Sequence, residues 1–283
     1  MVSFEMNDGY KIPALGYGVF QMTSAQVEEH LPQAIAAGYT HIDTANAYYN
    51  EVAVGKAIKA SGVAREDLFV TSKLFPQDYP YEKCKKAIDD TLKRLDMDYL
   101  DLLLFHQPYG EYVSGWRAME EAVKEGKVHL IGLSNFTNVS KLREITDTAT
   151  IKPAVMQILI NPYWNPHEYK GAIRDLGMVF EGWYPLGHGD KGLLGEPVFK
   201  GLAEKYGKSS AQIILRWHVQ EGNVVFPKTM NLEHMKDNLD IFDFELTEDE
   251  MARINSLPQH CGYVVPDEAP AWVWGPNDCS KQA

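Results

Sequence analysis

The chain has 283 residues and a formal net charge of −12; 45% of its residues are hydrophobic and 23% are charged. This composition is typical of a globular protein with a substantial core. The acidic balance argues against a broad nucleic-acid-binding surface, so any phosphate must be met by a local cationic site.

The sequence contains no recognisable targeting, membrane or metal pattern. The opening segment carries Glu5 and Asp8 and has no apolar run, so we expect no signal peptide. No stretch of about 18 apolar residues predicts a membrane span. Cys84, Cys261 and Cys279 show no paired spacing, which favours a reducing compartment and predicts a cytoplasmic protein. The nine histidines form no HExxH pattern, so no metal site is expected.

The first predicted element is a β-hairpin, with Asp8 and Gly9 at the turn between two short alternating segments. Eight strand-length runs follow, nearly continuous in apolar residues, as expected for strands buried on both faces. In chain order they are ALGYG, THID, LFVTSK, LDLLLFH, VHLIGLS, AVMQILI, MVFEGW and NVVFP.

Amphipathic segments that predict helices lie between these runs. Three of the segments begin with a capping box, in which a threonine or serine precedes a glutamine or glutamate by three residues. These pairs are Thr23 with Gln26, Ser209 with Gln212, and Thr247 with Glu250. Alternating strands and helices predict a parallel sheet. Eight such units in about 250 residues favour an α/β fold of the closed (β/α)8 TIM-barrel type over its main alternative, a doubly wound open sheet.

No composition shift divides the chain, so we expect a single domain over residues 1–283. Its tail, from about residue 258 to residue 283, is rich in proline and aromatic residues and lacks a helical pattern. We expect this irregular segment to fold back over one end of the barrel. Trp272 and Trp274 there either cover a pocket or fasten the tail.

Polar side chains interrupt or terminate several of the predicted strands. Chemistry in a (β/α)8 barrel lies at the carboxyl ends of the strands. The polar residues there are Asp43, Lys73, His106, Ser134 and Asn135, and Gln157 lies inside its strand. A structural strand can also end in any polar residue, so each residue alone is a weak signal.

Together with Tyr48, several of these residues form a chemically sensible set. A free tyrosine has a pKa near 10, and a neighbouring lysine such as Lys73 favours the phenolate and lowers that pKa. Asp43 would hold the lysine, and His106 would orient a carbonyl oxygen. The set predicts general-acid catalysis at a carbonyl, with the hydride supplied by a cofactor.

Several segments, in order and over nearly the whole chain, resemble the aldo-keto reductase family, including bacterial members with HQP at the histidine strand. The segments are HIDTANAYYNE, FVTSKLF, LDLLLFHQP, GLSNF, AEKYGKSSAQIILRW and VVFPKT. The resemblance implies a (β/α)8 barrel and reversible, metal-independent, NAD(P)H-dependent carbonyl reduction. Its catalytic quartet corresponds to Asp43, Tyr48, Lys73 and His106.

The resemblance also implies a set of cofactor contacts. Ser134, Asn135 and Gln157 match residues that bind the carboxamide, and Trp183 matches the aromatic ring that stacks on the nicotinamide. The remaining positions are Leu186 and Gly187 over the pyrophosphate, Lys228 and Thr229 at the 2′-phosphate of NADPH, His234 beside them, and Asp237 and Asn238 on the adenine side.

His234 departs from the family pattern, which has arginine at this position. Arginine presents a charged planar fork to a phosphate, whereas a neutral histidine does not. We therefore expect NADPH as the cofactor, with NADH also accepted.

Phe20, Tyr49, Phe75 and Gln107 match positions that line the family's substrate cleft. Many relatives have tryptophan in place of Gln107, so a less apolar or wider pocket is expected. The predicted partner is a small carbonyl compound, such as a methylglyoxal-like aldehyde, an aryl aldehyde or a keto sugar, and the family default is a monomer. A non-catalytic NADP(H)-binding regulatory subunit and a metal-dependent sugar isomerase remain the alternatives.

Overall fold

A computed structural model of the protein describes residues 2–6, 9–260 and 265–274. The chain begins with an antiparallel hairpin of β1 (Ser3–Glu5) and β2 (Lys11–Pro13). This confirms the predicted hairpin. Asp8 of its predicted turn lies outside the described residues, as do Cys261 and Cys279.

Eight parallel strands form the main sheet, and they follow one another in chain order across it. They are β3 (Tyr17–Gly18), β4 (His41–Asp43), β5 (Phe69–Leu74), β6 (Leu100–Phe105), β7 (Val128–Ser134), β8 (Val155–Leu159), β9 (Val179–Trp183) and β10 (Asn223–Val225). A parallel bridge between Leu15 and Val225 joins the two outer strands. The Gly16 amide donates to the Val225 carbonyl at 2.9 Å there. This curled arrangement is consistent with the predicted (β/α)8 barrel, whereas a doubly wound sheet would reorder its strands.

Eleven α-helices are described around the sheet. They are α1 (Ser24–Ala37), α2 (Glu51–Ser61), α3 (Tyr81–Leu95), α4 (Tyr112–Lys124), α5 (Val139–Thr146), α6 (His167–Asp175), α7 (Lys191–Gly195), α8 (Pro197–Tyr206), α9 (Ser210–Gln220), α10 (Leu232–Leu239) and α11 (Glu248–Asn255). The three predicted capping boxes are present, at the starts of α1, α9 and α11. None of these helices combines the length and apolar character that a membrane span requires.

The interior of the sheet is filled at its amino-terminal end. Met6 and Ile12 of the hairpin region pack there with Leu102 of β6, Leu130 of β7 and Val224 of β10. Because the hairpin covers this end, a ligand must enter from the opposite end, where the strands terminate.

The described part of the tail lies over the loops that follow the strands, as predicted. Residues Ala271–Trp274 form a short 3-10 helix. The Gln77 side chain, after β5, donates to the Val273 carbonyl at 2.5 Å. The Tyr109 hydroxyl, after β6, donates to the Pro266 carbonyl at 2.9 Å. The segment is therefore fastened beside the carboxyl ends of the strands.

Candidate active site

A cavity of about 480 Å³ opens at the carboxyl ends of the strands. It brings together residues that are far apart in the sequence, from the loop after β3 to the loop after β10. The predicted site residues in its wall are Phe20, Asp43, Tyr48, His106, Gln107, Ser134, Asn135, Gln157, Trp183, Leu186 and Lys228.

Lys73 lies directly behind this wall, fully buried on β5. Its ammonium donates to both carboxylate oxygens of Asp43, at 2.6 and 2.7 Å, and to the Thr44 carbonyl at 2.9 Å. Burial opposes the charged form, but Asp43 and Tyr48 together outweigh it and the pKa of Lys73 is raised. The lysine is therefore a permanent buried cation at neutral pH.

Tyr48 is the last residue of a 3-10 turn, Asn46–Tyr48, and the chain then turns through Tyr49 with a φ of 57°. The Lys73 ammonium lies 3.3 Å from the Tyr48 hydroxyl. Burial raises the pKa of Tyr48 to about 12, although the charge of Lys73 acts to lower it. The predicted net lowering is therefore wrong, because loss of hydration outweighs the lysine. The phenol keeps its proton at neutral pH, which is the state that a proton donor requires.

Buried amides hold the turn that carries Tyr48. The Thr44 hydroxyl donates to Asn50 Oδ1 at 3.0 Å, and Asn50 Nδ2 donates to the Met22 carbonyl at 3.1 Å. Asn46 Nδ2 donates to Asp78 Oδ2 at 2.8 Å. These hydrogen bonds join the turn to the neighbouring loops, so the hydroxyl is fixed at the cavity.

His106 follows β6, and its ring lies against Tyr48 and Phe75, with centroid distances of 5.6 Å to each. Burial and the nearby charge of Lys73 hold the pKa of His106 well below its ordinary value. The ring is therefore neutral at pH 7. A neutral imidazole can donate one N–H hydrogen bond to a carbonyl oxygen without giving up a proton.

The opposite wall is built from amides and an indole. Asn135 adopts a φ of 65°, and its Nδ2 donates to the His106 carbonyl at 2.9 Å. The Trp183 indole N–H donates to Asn135 Oδ1 at 3.1 Å, which fixes the ring at the cavity. Gln157 Nε2 donates to Asp43 Oδ2 at 2.9 Å. The predicted catalytic and carboxamide-binding residues thus form one connected network.

Glu181 of β9 belongs to this network and was missed by the sequence reasoning. It is fully buried, and its Oε2 accepts a hydrogen bond from Gln157 Nε2 at 2.8 Å. Burial and the negative charge of Asp43 raise the pKa of Glu181 to about 8. The available signal was a lone carboxylate inside the otherwise apolar run MVFEGW, which is unusual for a strand buried on both faces.

The far end of the cavity carries a loop and a cation. Leu186 lies in the wall, and Gly187 has a φ of 58° with Leu193 only 3.1 Å from where a Cβ would lie. Lys228 is exposed in the cavity wall. The Thr229 carbonyl accepts a hydrogen bond from the Tyr17 hydroxyl at 2.6 Å, which fixes the start of this loop.

The other predicted residues lie outside the cavity wall. His234 and Asp237 are exposed on α10, and Asn238 is buried there. Tyr49 is 39% exposed. Phe75 is buried between His106 and Trp272, whose ring centroid lies 6.2 Å away. The wall also contains residues that were not named as site residues, among them Gln21, Tyr184 and His188.

These groups fit a nicotinamide dinucleotide. The amides of Asn135 and Gln157 suit a carboxamide, the fixed indole of Trp183 suits a flat ring, and Lys228 offers the local cation that an acidic chain needs for phosphate. Within the described residues, no group of three or more histidine, cysteine, aspartate or glutamate side chains is arranged to hold a metal ion.

Comparison with known proteins identifies the family. Residues 14–259 match the Aldo/keto reductase family. The chain is 42% identical to glyoxal reductase of Bacillus subtilis, over 89% of this chain and 91% of that protein. It is 41% identical to morphine 6-dehydrogenase of Pseudomonas putida, over 89% and 90%. An aldo/keto reductase structure from Brucella melitensis superposes with a TM-score of 0.86 at 41% identity, covering 90% of this chain and 98% of that one. The chain belongs to the aldo/keto reductase family.

Proposed function

We propose that this protein reduces aldehydes and ketones to alcohols with NADPH, using Tyr48 as the general acid on a closed (β/α)8 barrel. The observation that carries the proposal is the contact of the Tyr48 hydroxyl with the buried Lys73–Asp43 pair at the cavity wall, beside the neutral ring of His106. Family membership supports the same reaction class.

The cofactor would lie along the cavity. Ser134, Asn135 and Gln157 would bind its carboxamide, Trp183 its ring, and Lys228 a phosphate. Bound there, the reduced nicotinamide supplies a hydride to the carbonyl carbon. Lys228 is the cation that favours NADPH, and the exposed imidazole of His234 in place of a guanidinium weakens discrimination against NADH.

The protein's own residues handle the proton. The neutral His106 ring orients the carbonyl oxygen by a hydrogen bond, so the Tyr48 hydroxyl faces it. As negative charge develops on that oxygen, Tyr48 transfers its proton and becomes a phenolate. The Lys73 ammonium stabilises this phenolate, and Asp43 keeps the ammonium in place. Solvent then returns a proton to Tyr48.

The substrate is a small, polar carbonyl compound. Gln107 lies in the cavity wall and is 7% exposed, and its Oε1 has no protein partner. This oxygen can therefore accept a hydrogen bond from a donor group of the substrate, such as a hydroxyl, and leaving it unmet is costly. Phe20, whose ring lies 4.9 Å from that of Tyr48, provides an apolar surface opposite. The name of the Bacillus subtilis relative, glyoxal reductase, supports a short dicarbonyl substrate.

The experiment is a carbonyl panel assayed by the loss of NADPH absorbance, with NADH in parallel. Glyoxal and methylglyoxal should be reduced faster than an unfunctionalised aldehyde of similar size. Tight NADPH binding without turnover of any aldehyde would contradict the proposal and favour the non-catalytic subunit.

A further inference from the structure

Glu181 is the central residue of β9 and has no access to solvent. In the register of the sheet it stands beside Gln157 of β8 and Val224 of β10. Its Oε1 has no protein partner, and its Oε2 accepts the hydrogen bond from Gln157. A carboxyl group at such a position carries a large desolvation cost, which packing alone does not require.

Gln157 is held from two sides by carboxyl groups. Its Nε2 donates to Asp43 Oδ2 at 2.9 Å and to Glu181 Oε2 at 2.8 Å. A side-chain amide nitrogen has two N–H bonds, so both are used within the protein. Its carbonyl oxygen is the atom that remains for a ligand in the cavity. The reversed amide would direct that oxygen at two carboxyl groups, which disfavours it.

We propose that Glu181 is a positioning residue: it fixes the amide of Gln157 so that the Gln157 carbonyl oxygen receives the carboxamide N–H of the nicotinamide. The inference rests on the proposed function, because it names the group that Gln157 binds. It also assigns Glu181 a second effect, on the pH dependence of the same site.

The charged groups that act on Glu181 are Asp43 and Lys73, while its neighbours on the adjacent strands, Gln157 and Val224, do not ionise. When Glu181 loses its proton, Lys73 must balance two carboxylates instead of one. Less of its field then acts on the phenolate of Tyr48, and reduction slows. Since burial and Asp43 raise the pKa of Glu181 to about 8, we expect kcat for reduction to decline on the alkaline side of neutrality.

Two substitutions separate these effects. Glu181→Gln keeps a side-chain oxygen that can accept from Gln157 but cannot ionise, whereas Glu181→Leu removes the acceptor. Glu120→Gln is the matched control, because Glu120 is also buried and bonded but receives its hydrogen bonds from the amides of Thr150 and Ile151. Melting temperatures verify that each variant is folded.

The Kd for NADPH is measured by quenching of tryptophan fluorescence, and kcat and KM are measured from about pH 6 to about pH 10. Glu181→Leu should raise the Kd about tenfold, as expected for loss of one oriented hydrogen bond. Glu181→Gln should bind NADPH within about threefold of wild type and lose the alkaline decline in kcat. The Glu120→Gln variant should match wild type in both.

An unchanged Kd in Glu181→Leu, or an unchanged alkaline limb in Glu181→Gln, would overturn the inference. If Glu181→Leu does not fold, the pH profile of Glu181→Gln decides. A wild type that binds NADPH but reduces no carbonyl would refute the proposed function alone, because the Kd comparison tests the positioning role without turnover.

Discussion

The buried pair of Lys73 and Asp43 is central to the proposed mechanism, because the Lys73 ammonium lies 3.3 Å from the Tyr48 hydroxyl. A phenol with its pKa raised to about 12 is a weak acid even with Lys73 beside it. In the proposed reaction, the ammonium 3.3 Å away stabilises the phenolate as it forms. Proton transfer from Tyr48 would then depend on a cation that Asp43 holds in place in the core.

Tyr48→Phe should lower kcat for carbonyl reduction by at least about a thousandfold, because it removes the hydroxyl that lies 3.3 Å from the Lys73 ammonium. The Kd for NADPH should change less than about threefold, since the ring remains. Steady-state kinetics and fluorescence titration measure the two quantities. Tyr49→Phe is the control and should mainly alter KM. The assignment is wrong if Tyr49→Phe is the inactive variant.

Lys73→Met should destabilise the fold by about 3–5 kcal/mol, because it leaves the Asp43 carboxylate buried without a counter-charge. Urea unfolding followed by circular dichroism measures the loss. Lys59→Met is the control, since Lys59 and Asp96 form an exposed ion pair. This substitution should leave the midpoint of urea unfolding nearly unchanged. Equal losses in the two variants would contradict the role assigned to burial.

His234→Arg should raise the preference for NADPH over NADH by about tenfold, because a guanidinium adds a charged contact to the 2′-phosphate. The ratio of kcat/KM for the two cofactors measures the change. His234→Gln is the neutral control. A wild-type preference above about 1,000-fold would refute the expectation, as it would need about 4 kcal/mol without arginine.

The sequence identified most of the residues in this cavity because several of them lie at or near the ends of apolar runs, and parallel strands end at one edge. Two features of the site could not be predicted from the ends of apolar runs. The pKa of Tyr48 depends on how deeply the ring is buried, and the depth of burial cannot be read from the sequence pattern. Glu181 points into the same interior as Asp43. Its contact with Gln157 could be predicted only from the register of β8 and β9.

At the scale of elements, long-range hydrogen bonds fasten the described part of the tail to loops beside the cavity. Lys141 of α5 donates to the Asp267 carbonyl at 2.7 Å and to the Pro108 carbonyl at 3.3 Å. It thereby joins the tail to the loop that follows His106. The helix caps were predictable because they are local, whereas this contact spans 126 residues.

Lys141→Met should loosen the described tail, which lies beside the cavity. It should raise KM for the carbonyl substrate by about two- to fivefold, with little change in kcat, because the residues proposed for proton transfer are unaltered. Steady-state kinetics with methylglyoxal measure the changes in KM and kcat separately. Lys236→Met is the control, since Lys236 pairs only at the surface with Glu233 of the same helix. A fall in kcat alone would contradict this account.

At the scale of the whole molecule, one hydrophobic cluster extends from Ala14 through the strands and helices to Ile254. The alternation of eight strands with helices was readable from the sequence. The contact of Leu15 with Val225 was not, because it joins positions at opposite ends of the pattern. A continuous core of this kind predicts a single domain.

Thermal unfolding should therefore give coincident transitions by far-ultraviolet circular dichroism and by tryptophan fluorescence. The buried Trp116 and Trp217 report on the core, and the circular dichroism signal reports on the helices. Distinct midpoints for the two signals would contradict a single cooperative domain. Repeating the scan at a second heating rate controls for irreversible aggregation.

The Leu15–Val225 bridge also has a consequence for how the protein is made. During synthesis the segments bearing Asp43, Tyr48, Lys73 and His106 leave the ribosome well before those bearing Trp183 and Lys228. The nascent chain thus holds the proposed proton-transfer residues before it has Trp183 and Lys228, the residues proposed to contact the nicotinamide and a phosphate. The cavity is complete only when Val225 of β10 pairs with Leu15 beside β3. Because these residues are so far apart in the sequence, forming this contact is intrinsically slow.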